Sequence, residues 1–180
     1  MNRTNCIDRA GEILIFTIWV EKRLVDLLIL KKHPILIKKV NNSSKLPRTM
    51  VDERFKYWEK SFWLILDEYI KEFKPKNDWI ESLRGVAYWR DIIGHGHVSL
   101  YRSYLLYRPN TTRKGKSVKE LRSALGSSKT KGKSARKFTL KIDFSNNLKY
   151  ENMKKVIIEI DEVLLKYEAN KLGLNYEKIR

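Results

Sequence analysis

Asp78–Arg102, DWIESLRGVAYWRDIIGHGHVSLYR, is the stretch from which both the fold class and the candidate chemistry are read. Trp79, Leu83, Val86 and Ala87 recur at helical spacing, and the next place on that stripe is Arg90 where a hydrophobe would continue it. A guanidinium at the margin of a core is costly unless an anion meets it, so Arg90 asks for a partner, either a phosphate or a neighbouring carboxylate. His95 and His97 come next, each flanked by glycine, and there the helical period stops. From His97 to Tyr107 the chain turns aromatic and β-branched, with Val98, Leu100, Arg102, Tyr104 and Leu106 on one side if extended. Lys137–Phe144 alternates Phe138, Leu140, Ile142 and Phe144. These two runs predict a β-hairpin, about 97–107 and 137–144, with a long connection between its strands.

Outward from this stretch the periodicity is helical. Asn5 to about Lys31 places Ile7, Leu14, Ile18 and Val25 on one stripe, and Ile15, Trp19 and Leu27 broaden it. A helix apolar around most of its circumference is either the centre of a bundle or a dimer surface. His33-Pro34 ends it, and Asn41–Arg48 reads as a loop, after which Thr49 could cap the second helix. Val51–Phe73 carries Val51, Phe55, Trp58, Phe62, Ile65, Tyr69 and Phe73 in steps of three and four, predicting one helix with this face in the core. About Asn152–Leu172 sets Val156, Ile160, Val163, Leu164 and Tyr167 on one face, with Gly173 as a stop. The expected fold is therefore mainly α: a four-to-five-helix bundle, single-domain over 1–180, with the hairpin and a basic loop before the last helix.

Charge narrows the partners. The chain carries 38 Lys and Arg against 21 Asp and Glu, a net +17, which favours a polyanion. Arg108–Lys137 alone holds 11 Lys or Arg and one Glu, with glycine and serine around them, so 108–137 reads as a basic flexible insertion. Its Arg108, Arg113, Lys114, Lys116, Arg122, Lys131, Lys133, Arg136 and Lys137, with Arg102 before it, are the candidate contacts to a polyanion such as the backbone of RNA or DNA. The longest apolar run, Ile13–Val20, is far short of the roughly 20 residues that span a bilayer, and no membrane partner is expected. The start MNRTNCIDRAGE has acids directly before the apolar segment, unlike a signal peptide. A lone Cys6 offers no disulfide framework, so a cytoplasmic location is the expectation. No repeat, glycine-rich phosphate loop or serine-histidine-aspartate arrangement is present. His95 and His97 lack a third ligand at a metal-binding spacing, so neither metal nor cofactor is expected.

Arg90-Asp91-Ile92-Ile93-Gly94-His95-Gly96 resembles the motif of the HEPN domains, in which an arginine and a histidine four to six residues apart lie near the end of a core helix. The resemblance covers the helical frame, but its specific part is these few residues. It implies a small helical fold and a metal-independent endoribonuclease of a toxin or antiviral-defence system. It also implies a homodimer and, in toxin members, a cognate antitoxin or regulatory protein. Glu12 and Glu21 both fall on the first helix, and Glu21 is the better candidate for the acidic residue that the resemblance implies near the motif arginine. Two departures stand out: Asp91 takes a place where asparagine is frequent, and His97 occupies the position of a modifiable tyrosine, with Tyr101 displaced.

The chemistry can also be argued from the residues. RNA brings its own nucleophile, the 2′-hydroxyl, so a protein needs only a group to move protons and a cation to hold the crowded phosphate. Histidine titrates near neutrality and guanidinium is always charged, which makes Arg90 and His95 or His97 candidate catalytic residues, with Asp91 beside them. On an ideal helix residues five apart point about 140° apart, so Arg90 and His95 converge only if the glycines bend the chain or a two-fold partner supplies the second group. A different class of function fits the same residues: a non-catalytic basic helical module that binds nucleic acid or a protein partner. There Arg90 pairs with an acid and His95 caps a helix.

Overall fold

The computed structural model describes residues 3–98, 104–107, 140–144 and 147–180. Helices α1 (Arg3–Lys32), α2 (Ile35–Asn42), α3 (Arg48–Tyr57), α4 (Phe62–Phe73) and α5 (Asn77–His95) come first. Short strands β1 (His97–Val98), β2 (Tyr104–Tyr107) and β3 (Leu140–Asp143) come after them. The chain then runs through α6 (Asn147–Glu159), a π-helical turn over Ile160–Leu165, α7 (Lys166–Lys171) and a 3-10 turn at Tyr176–Lys178. Two compact units divide it: residues 1–16 with 88–155, and residues 17–87 with 156–180.

The expected β-hairpin is corrected. Among the described residues, strand geometry is confined to pieces of two, four and four residues, and helix accounts for nearly all the rest. The first run does not form one strand of the expected length. His97 pairs with Leu106 and Val98 with Leu105, so the run folds back on itself, and β2 in turn pairs antiparallel with β3 from Tyr104–Asp143 to Tyr107–Leu140. Alternation in sequence allows a strand but does not fix its length or where the chain reverses. In this unit Ala10, Ile13, Trp89, Ile92, Leu105, Phe144, Tyr150 and Met153 are buried. Arg9 fastens α1 to the start of α6: it donates to the Phe144 carbonyl at 2.8 Å and to Asn147 Oδ1 at 2.6 Å, and lies 4.8 Å over the Tyr150 ring.

The second unit is built around the later part of α1. Every residue from Arg23 to Leu30 is buried, Val25 and Leu27 of the predicted stripe among them, but Ile7, Ile15, Ile18 and Trp19 of that stripe are exposed, so the helix is enclosed only along its later part. The price of that position is Asp26, fully buried, which accepts from Arg54 Nε and from its terminal nitrogen at 2.6 Å each. Burial pushes the Asp26 carboxyl up, and the Arg54 pair opposes that shift. His33-Pro34 does end α1.

Val51–Phe73 is two helices, not one. Ser61 is the N-cap of α4, accepting from the Leu64 N–H at 3.4 Å, and the turn before it resets the helical phase. Phe62, Ile65, Tyr69 and Phe73 are buried as expected, but Phe55 and Trp58 are exposed, and α3 buries Met50 and Tyr57 instead. Pro47, not Thr49, stands at the start of α3.

The last helix also shifts phase. A π-turn places one extra residue in the helix, so the buried set runs Ile157, Ile160, Asp161, Leu164, Leu165, Glu168 and Ala169, while the predicted Val163 and Tyr167 face out. Gly173 at φ 74 closes α7 as foreseen. Its N–H donates to Asn170 O at 2.9 Å and that of Leu174 to Ala169 O at 3.0 Å. Asn41 of α2 clasps this turn, donating to Gly173 O at 2.9 Å and accepting from the Asn175 N–H at 2.8 Å.

Candidate functional site

Helix α5 opens after Pro75 with Asp78 in its first turn, where a carboxylate meets the positive end of the helix dipole. Leu83, Val86 and Ala87 are buried in the second unit, and the later residues Trp89 and Ile92 are buried in the first. The buried positions thus step off the Leu83–Ala87 stripe onto Trp89 and Ile92, which leaves Arg90 half-buried at the margin of the core. Asp91 beside it is also half-buried.

The helix continues through Gly94, and His95 is its last residue, exposed to solvent. An imidazole there sits at the negative end of the dipole. Because the backbone stays helical as far as His95, Gly94 does not fold the histidine back toward Arg90, and their side chains leave the axis about 140° apart.

Gly96 has a clear steric reason. A Cβ there would lie 2.1 Å from Leu105 Cδ2 and 2.4 Å from the Ile92 carbonyl oxygen, so only glycine lets the chain pass from α5 into β1 this closely over β2. Nothing described lies within 4 Å of a Cβ added at Gly94. His97 is the first residue of β1, paired with Leu106.

Tyr101 and Arg102 lie outside the described residues, as do Arg108, Arg113, Lys114, Lys116, Arg122, Lys131, Lys133, Arg136 and Lys137. Glu21 is half-buried in the second unit. The other early glutamate, Glu12, accepts from Tyr150 and from Lys154, the latter at 2.7 Å. The Lys154 hydrogen bond, with that of Tyr150, holds its carboxyl below the ordinary range.

Sequence reasoning missed a second cluster. Trp19, Lys22 and Arg23, spaced three and four apart on α1, line a groove of about 400 Å³ with Ile179 and Arg180. The spacing was visible, but nothing local ties α1 to residues 179 and 180. Among the described residues no group of three His, Cys, Asp or Glu side chains is placed to hold a metal ion, and no helix is long and apolar enough to cross a membrane. Compared with protein-family models, curated proteins and solved structures, the chain matches none of them.

Proposed function

We propose that this chain is a metal-independent endoribonuclease of the HEPN type, of the toxin or antiviral-defence class, acting on RNA as a homodimer. The observation that carries the reading is the arrangement at the end of α5: a half-buried Arg90, a half-buried Asp91, and an exposed His95 closing the helix. This is the motif order at the end of a core helix that the resemblance implies. The divergence of Arg90 and His95 by about 140° favours a two-fold pair, in which Arg90 of one protomer faces His95 of its partner across one cleft.

In this reading a histidine takes the proton of the ribose 2′-hydroxyl as its oxygen attacks phosphorus. The bond to the 5′-oxygen breaks, the leaving oxygen receives a proton, and a 2′,3′-cyclic phosphate and a 5′-hydroxyl result. Arg90 holds the phosphoryl oxygens as negative charge builds. DNA, without the 2′-hydroxyl, is inert. His95 is the preferred proton carrier and His97 the alternative at the longer spacing, with Asp91 positioning Arg90. Glu21 and Tyr101 are candidates for supporting roles, and the 108–137 segment grips the RNA backbone.

Labelled RNA incubated with the protein in EDTA tests this. Cyclic-phosphate ends are expected from the wild type, and loss of cleavage by at least about a hundredfold from Arg90→Ala and His95→Ala. RNA left intact by the wild type, but bound in a salt-sensitive way, would identify the chain as a non-catalytic nucleic-acid-binding module.

A further inference from the structure

Helix α1 is one unbroken run from Arg3 to Lys32, so a single helical phase carries along it. Over its first half the inner side is filled by Ala10, Ile13, Thr17 and Val20, all buried. At about 100° per residue, Ile7, Ile18, Ile15 and Trp19 fall within an arc of about 120° on the opposite side. A helix with one face in the core ordinarily turns charge to water on the other. Here the outward side is apolar as well, and these four side chains are between 45% and 51% exposed.

The stripe is arranged symmetrically about Ile15. Gly11 and Trp19 each lie four residues from it, and Asp8 and Lys22 each lie seven. Nothing described lies within 4 Å of a Cβ added at Gly11, so the stripe is lowest one turn before Ile15 and tallest one turn after it, at the indole. Asp8 and Lys22 are both exposed and opposite in charge. A copy of this stripe turned end for end about Ile15 therefore sets indole over glycine and carboxylate beside ammonium, while Ile15 meets itself. Trp19 keeps an interaction within its own chain, and Lys22 feels the buried Asp26 one turn on, so what each offers is only the part that remains in water.

We propose that this stripe is the contact between two copies of the chain, α1 lying antiparallel on α1 about a two-fold axis at Ile15. Three isoleucines and one tryptophan, each about half in water, leave roughly 400 Å² of apolar side chain exposed, the size of patch that marks a contact surface. At the roughly 65% apolar content of a homodimer interface, this corresponds to about 600 Å² per subunit and about 1,200 Å² in all, the lower end of specific interfaces. A reversible pair follows, rather than an obligate one. The Asp8 and Lys22 contacts, being at the rim, give the pair its direction more than its strength. A polyanion fits the stripe less well, because Asp8 would repel it. This contact gives the homodimer proposed above its surface, rests on that reading only for the existence of a pair, and does not depend on RNA cleavage at α5.

Sedimentation velocity of the full chain over a concentration series is the test. The wild type should show a monomer–dimer equilibrium, half associated at roughly 1–50 µM. Ile15→Glu, which sets like charges together at the axis, should weaken pairing at least about tenfold. Asp8→Lys and Lys22→Glu should each weaken it about threefold, and the two combined should restore it, because the exchanged charges meet again across the axis. Unchanged far-ultraviolet circular dichroism verifies the fold of each variant. A wild type still monomeric at roughly 100 µM would overturn the proposal. So would a dimer that Ile15→Glu and the two single charge substitutions leave as tight as the parent, a result that moves the pair to another surface and leaves the homodimer reading of α5 standing. A dimer that Ile15→Glu splits, in a protein whose wild type cuts no RNA, would leave this contact standing and remove only the nuclease reading.

Discussion

At the scale of single residues, the second unit is governed by charges placed where water is scarce. Glu68 accepts from Lys32, from Tyr57 at 2.9 Å and from Lys60 at 2.9 Å. Burial raises its carboxyl, but these three donors outweigh that and hold it at about 2, against an ordinary 4.5. A carboxyl depressed in the folded chain adds stability above its ordinary value, and that stability is lost as pH falls from about 4.5 toward 2. The contribution at neutral pH is up to about 3 kcal/mol. Glu68→Gln should lower the urea midpoint at pH 7 and flatten its fall below about pH 4.5, as read from denaturation curves at several pH values. Asp26 and Arg54 make a harsher case, because removing one partner strands the other. Arg54→Ala should cost about 3–5 kcal/mol, visible as a fall of roughly 10 °C in Tm, while Asp26→Leu with Arg54→Met should recover most of it. Neither pair was legible in the sequence: Asp26 reads as one polar residue in an apolar helix, and its partner is 28 positions away.

At the scale of elements, what could be read and what could not divide on phase. The burial of Leu24–Leu30, the end of α1 at His33-Pro34 and the stop at Gly173 come from composition and local sterics. The break before α4 and the π-turn do not, since an unbroken period looks the same in sequence whether or not the backbone resets between its two ends. Ser61 ahead of Phe62 was the overlooked capping signal. Gly173→Ala should cost about 1–2 kcal/mol in urea unfolding, because an L side chain at φ 74 is strained. In the α5 motif, Gly94→Ala should leave Tm nearly unchanged and Gly96→Ala should lower it. The second substitution meets both Leu105 and the Ile92 carbonyl, and overpacking of that kind costs about 1–3 kcal/mol. Equal stability of the two variants would show that the α5 to β1 passage is looser than this geometry requires.

For the whole molecule, a net charge of +17 sets the terms on which any polyanion is met. RNA binding should fall as a power of salt concentration, and substitutions that neutralise Lys or Arg in 108–137 should each reduce the slope by a little under one unit, measured by anisotropy across a salt series. The candidate site was partly legible. Arg90 stood out as a cation on an apolar stripe and His95 as a helix end, whereas the Trp19 groove needed residues from both ends of the chain. That same discontinuity bears on synthesis. Each compact unit is assembled from two separated tracts, so neither has a contiguous gene fragment that would express it alone. Arg23 emerges from the ribosome long before Asp161 exists to neutralise it, and Asp26 before Arg54. Until residues 156–180 are made, the nascent helix can meet α3 and α4 but lacks the tract that supplies Asp161, which marks the part around Arg23 as the segment a holding chaperone would be called on to shield.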